Sequence, residues 1–88
     1  MKPVPYGYVL FYTSAAAFRA EKLSDAAGIP GARLIPTPRE LSSDCGVALR
    51  FMLEPGKAEE SRAAMERVLL DKSIPYERIV AEPGWQAP

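Results

Sequence analysis

The segment GVALRFML, Gly46–Leu53, alternates its side chains with a period of two. Val47, Leu49, Phe51 and Leu53 fall on one face, and Ala48, Arg50 and Met52 on the other. This is the period of a β-strand, and a strand with one face so apolar must bury it under a second layer. Two segments have the helical period needed to supply that layer. SAAAFRAEKLSDAAG, residues 14–28, lines up Ala16, Ala20, Leu23 and Ala27, with Ala17 and Ser24 beside them. Such small residues let a helix lie close to a sheet. Thr13 or Ser14 can cap its start, and Gly28 suits its end. Phe18 points away from the stripe. AEESRAAMERVLLDK, residues 58–72, gathers Ala58, Ser61, Met65, Val68 and Leu69 on one side. Its Glu59 and Glu60 favour the positive end of the helix dipole, and Lys72 the negative end.

Three further segments read as strands: YGYVLFYT (6–13), ARLIPTP (32–38, halted by Pro36 and Pro38) and IPYERIVAE (74–82). The order βαββαβ predicts an α+β, ferredoxin-like fold, a four-stranded antiparallel sheet with two helices on one face. Residues 1–82 are expected to form a single domain, with 83–88 an irregular tail carrying Trp85. The second face of the sheet, bearing Arg50 and Met52, is expected to lie open or to serve in assembly, which makes a homodimer the expected association.

Composition removes several functions. Eleven basic and eleven acidic residues balance to zero net charge, with no local Lys/Arg cluster, so no nucleic-acid partner is expected. The longest apolar run near the start, Tyr8–Tyr12, is far too short for a signal or membrane segment. No membrane association and a cytoplasmic location are expected. There is no histidine, which excludes the Cys-His dyad, the Ser-His-Asp triad and nearly every zinc site with nitrogen ligands. No metal or organic cofactor is expected. One cysteine, Cys45, cannot form an intrachain disulfide.

That cysteine lies in PTPRELSSDCG, residues 36–46. Pro36 and Pro38 fix two φ angles and bias Ile35 and Thr37 toward extended backbone. A long, stiff, polar connection is more often a site than a spacer. Arg39 and Arg50 are candidate cations for a thiolate, Ser42 and Ser43 offer hydroxyls, and Gly46 admits close backbone approach. Each has a plainer use. A lone cysteine commonly packs as a small hydrophobe, the serines can be turn residues, and Arg39 can be solvated. Arg50 is harder to set aside, because a mid-strand arginine needs a partner or open water. Asp44 opposes a thiolate unless it faces away. A transfer thiol must also reach solvent or a shallow pocket.

The string LIPTPRELSSDCGVALRF resembles a family of small bacterial domains described as selenium/sulfur carrier protein-like. The shared elements are Pro36, Thr37, Pro38, Arg39, Ser42, Ser43, Cys45, Gly46, Ala48, Leu49 and Arg50, with Ala20-Glu21-Lys22 in the first helix. The resemblance runs from the first strand through the fourth; Phe18 and the Trp85 tail depart from it. It implies that Cys45 accepts sulfur or selenium as a persulfide or selenosulfide. The group would pass from a cysteine desulfurase-like donor to an acceptor enzyme, so the chain is expected to be a carrier more than a stand-alone enzyme. Arg39 and Arg50 would act electrostatically, and Ser42, Ser43 and the Gly46 amide as hydrogen-bond donors. With no second cysteine, no internal resolving step is possible. The alternative is a non-catalytic regulatory module that binds a small ligand or partner through the 36–46 loop, with Cys45 a wall residue.

Overall fold

The computed structural model describes residues 6–41 and 45–80. In chain order the elements are β1 (Tyr6–Leu10), α1 (Ser14–Ala26), β2 (Arg33–Pro36), β3 (Val47–Met52), α2 (Ala58–Asp71) and β4 (Arg78–Val80). The four strands lie in the order β2-β3-β1-β4, and every neighbouring pair is antiparallel. This is the expected ferredoxin-like arrangement. β3 slots between β1 and β2, the two ends of the first βαβ crossover, and so sits at the centre of the sheet.

Both helices pack on one face of the sheet. Ala16, Ala17 and Ala20 of α1 and Met65 and Leu69 of α2 share a buried cluster with Val9, Leu49 and Phe51. Thr13 caps α1, its Oγ1 accepting the Ala16 N–H at 3.2 Å. At the other end Gly28 adopts φ +78°, the Gly28 N–H bonds to the Asp25 carbonyl, and the Ile29 N–H to that of Ser24. These bonds make a Schellman cap, and the left-handed residue it requires is the glycine. The buried stripe of α1 is rotated from the expected one: Ala17 and Ser24 are fully buried, whereas Ala27 is exposed. The reason is that α1 packs against α2 as well as the sheet, and the buried Ser24 hydroxyl donates to Met65 Sδ at 3.4 Å. Phe18 is exposed, as its position off the stripe predicts. Glu21 accepts the Leu34 N–H at 2.8 Å and thereby satisfies a donor of the edge strand β2.

β4 begins at Arg78, later than the expected Ile74. The Ile74 N–H is taken by the Leu69 carbonyl at 2.9 Å, so this residue closes α2 instead of opening a strand. The last strand positions expected from sequence, Ala81 and Glu82, and the Trp85 tail lie outside the described residues. The second face of the sheet also differs from expectation. Tyr8, Leu10 and Ala48 are buried there with Leu41, a residue of the β2–β3 connection. Over β1 and β3, then, this face is not open.

Two backbone positions yield tests. Gly7 pairs with Phe51 across β1 and β3, and a Cβ at Gly7 would fall 2.4 Å from the tip of the Phe51 ring. Phe51 is fully buried and cannot swing away. Gly7→Ala is therefore expected to destabilise the fold by about 1–3 kcal/mol, the usual cost of overpacking, read as a lower urea midpoint. Ser73 follows the C-cap of α2 at φ 54°, where its Cβ is strained. Ser73→Gly is expected to raise stability by about 0.5–1 kcal/mol, the left-handed penalty less the added chain entropy. Equal or lower thermal stability of that variant would show that the cap carries no strain.

Candidate functional site

The β2–β3 connection is tied at its base. The Thr37 N–H donates to the Gly46 carbonyl at 3.1 Å, and Thr37 Oγ1 donates to the Cys45 carbonyl at 3.0 Å. The first bond continues the ladder past its last pair, Pro36 with Val47. Pro36 can end an edge strand because it has no N–H to offer. Beyond the tie, the Leu41 N–H donates to the Pro38 carbonyl at 2.9 Å, closing a turn with Arg39 and Glu40 at its centre. Both of those side chains are exposed, and Leu41 is buried at 6 % exposure against Tyr8, Leu10 and Ala48. Among the described residues, the two hydrogen bonds of Thr37 and the burial of Leu41 hold the connection to the sheet.

Cys45 is buried, with 6 % of its surface exposed. It belongs to the cluster of Val9, Phe11, Ala16, Ala17 and Leu49 on the helix-covered side. The expectation that a transfer thiol reaches solvent is not met in this conformation. The cause is the alternation of β3: Cys45 precedes Val47 and Leu49 at even spacing, and the tie to Thr37 holds its backbone in line with the strand. Gly46 is exposed, and a Cβ added there would meet nothing within 4 Å. Its lack of a side chain is therefore not demanded by crowding. Ser42 and Ser43, together with Asp44, lie outside the described residues.

The two arginines lie elsewhere. Arg50 projects on the face opposite Val47, Leu49 and Phe51, half-buried, with its guanidinium carbon 4.4 Å from the centre of the Tyr6 ring. A guanidinium over an aromatic face is an attractive cation–π contact. Its Nε is buried and has no hydrogen-bond acceptor. Arg39 and Arg50 line one open pocket of about 470 Å³ with Ile35, Pro36, Thr37, Pro38 and Glu40. Cys45 is not among the described residues lining it. The fold therefore gathers Arg39, Arg50 and Thr37 at one place and turns Cys45 into the core on the other side of the sheet. Sequence reasoning missed Tyr6 and Leu41. Leu41 was legible as the one large apolar residue in a polar loop. Tyr6 was not, since its placement beside Arg50 depends on the β1–β3 register.

Fold and site together define a small ferredoxin-like α+β domain whose one thiol stands at the foot of a tied hairpin loop. A family model described as "Putative Se/S carrier protein-like" matches residues 6–81, and the chain belongs to that family. No curated protein and no solved structure gives a significant match. Among the described residues, no helix is long and apolar enough to cross a membrane.

The tie makes a prediction. Thr37→Val removes the hydroxyl that holds the Cys45 carbonyl while keeping shape, at a cost of about 1 kcal/mol to the closed loop. Iodoacetamide should then modify Cys45 about fivefold faster than in the native protein, provided that opening of the loop limits access. An unchanged rate would mean that Thr37 does not restrain the thiol.

Proposed function

We propose that the protein carries sulfur or selenium on Cys45 and relays it between two protein partners, a cysteine desulfurase-like donor and an acceptor enzyme. The observation that supports this reading is membership of the family together with a single cysteine as the only thiol in the chain. In the loading step the Cys45 thiolate attacks the outer sulfur of a donor persulfide. A new S–S bond forms to Cys45, the donor S–S bond breaks, and its electron pair leaves on the donor thiolate. In the delivery step a nucleophile of the acceptor attacks that outer sulfur, and Cys45 departs as thiolate. Neither step needs an outside oxidant or reductant. Because the chain lacks a second cysteine, it cannot expel the sulfur by closing a disulfide on itself.

The burial of Cys45 adds a condition. Exchange requires the loop to open, which releases at least the two hydrogen bonds of Thr37, worth about 1 kcal/mol each, and exposes Leu41, worth about 1.5–3 kcal/mol. The open form is then a minor population that a docking partner can select. The closed form keeps a reactive persulfide away from water and stray thiols. The chemistry is assigned to Cys45, with the Gly46 amide and the Ser42 and Ser43 hydroxyls as donors to the terminal sulfur. Arg39 and Arg50 are not given a part in it, because in the closed loop they line a different pocket.

The test is intact-mass spectrometry after incubation with a cysteine desulfurase, its cofactor and free cysteine. The protein is expected to gain one sulfur atom, lost again on treatment with dithiothreitol and not gained by Cys45→Ser. If no adduct forms under conditions in which iodoacetamide does label Cys45, the carrier reading fails.

A further inference from the structure

Arg50 poses a problem that the carrier chemistry leaves unsolved. It stands at the centre of the sheet, and its cross-strand neighbours are Tyr8 on β1 and Arg33 on β2, neither of them an anion. Its Nε is buried with no acceptor, and no hydrogen bond or ion pair joins the side chain of Arg50 or Arg39 to any described residue. A buried polar atom in a native fold is normally paired. The Tyr6 ring lies against the guanidinium, its centre 4.4 Å from the guanidinium carbon. The turn at residues 38–41 sets Arg39 beside the same pocket.

We propose that this pocket is a binding site for a small organic acid. The carboxylate pairs with the Arg50 guanidinium and is closed in by Arg39. The carbon body of the ligand rests on Ile35, Pro36 and Pro38. A planar guanidinium matches a planar carboxylate through paired N–H···O bonds. The apolar walls select an organic acid over a bare inorganic oxyanion, which would gain nothing from them. The volume of about 470 Å³ lies within the range of small-molecule pockets. Glu40 also lines the pocket and opposes an anion there, but it is exposed and forms no ion pair with either arginine, so water and salt screen it. This site does not use Cys45, and it differs in that respect from a ligand site built around the thiol.

The experiment is an amide-shift titration of the isotope-labelled full chain by NMR, with benzoate as probe. Benzyl alcohol serves as the uncharged control and sulfate as the inorganic one. Benzoate is expected to shift the Thr37, Arg39 and Arg50 amides saturably, and both controls to bind about tenfold more weakly or worse. Arg50→Gln and Arg39→Gln should each weaken benzoate about tenfold, and Glu40→Gln should tighten it severalfold. Cys45→Ser should leave the affinity unchanged, which separates this site from the carrier chemistry. Because Arg39 is exposed, its variant remains decisive even if Arg50→Gln fails to fold. The proposal is overturned by a non-saturable response to benzoate, or by benzyl alcohol or sulfate binding as tightly. Affinity that survives Arg39→Gln, or that is lost in Cys45→Ser, would equally overturn it.

Discussion

Everything distinctive about this protein follows from the position of β3. It is a central strand, paired on one side with β1 and on the other with β2, and its register with both is fixed. A strand sends successive side chains to opposite faces, so residues an odd number apart cannot share one. Cys45 and Arg50 are such a pair. Cys45, held in line by Thr37, falls with Val47, Leu49 and Phe51 under the helices. Arg50 falls with Ala48 on the other side, beside Tyr6. A slip of one residue would bury a guanidinium beneath α1 and α2 and turn Leu49 and Phe51 out of the helix-covered core. The apolar face therefore holds the thiol and the arginine apart.

The connection between β2 and β3 is held to the sheet at its described residues. Its base is one further rung of the ladder plus a hydroxyl bond, its near half is a turn, and Leu41 fixes that turn to the sheet. The bonds of Thr37 and Leu41 are separate from the ladder that β1 and β3 share. Cys45 belongs to the buried cluster under the helices, and a cysteine packed in apolar surroundings is inert for as long as it stays packed.

The helices contribute closeness more than bulk. α1 buries alanines and one serine, so its axis can approach the sheet, and the Phe51 ring lies over Gly7, where no side chain competes for the space. A chain of 88 residues has a modest core, and these close contacts compensate for its size. On the outer side of α2, Arg62 bridges Glu59 and Glu66. The guanidinium holds the Glu59 carboxyl below the usual carboxylate range, but this carboxyl is solvent-exposed and the bridge decorates the helix without fixing the fold.

Periodicity in the sequence determined the elements and their order. Alternation in GVALRFML, the helical spacing in the two amphipathic segments, the Thr13 cap and the Gly28 stop are local properties, and local sterics and hydrogen bonding decide them. The parity separating Cys45 from Arg50 was legible for the same reason. The sequence also marked out residues 36–46 by their prolines and their polar content. What it could not give was where those residues point relative to the rest of the chain. That Thr37 binds the Cys45 carbonyl, that Leu41 covers the second face, and that Tyr6 stacks on Arg50 all depend on strands distant in sequence meeting in one register. The thiol's burial belongs to the same class. A cysteine in a polar loop looks exposed when only its neighbours in sequence are counted, and α1 and β1, which cover it, become its neighbours only on folding.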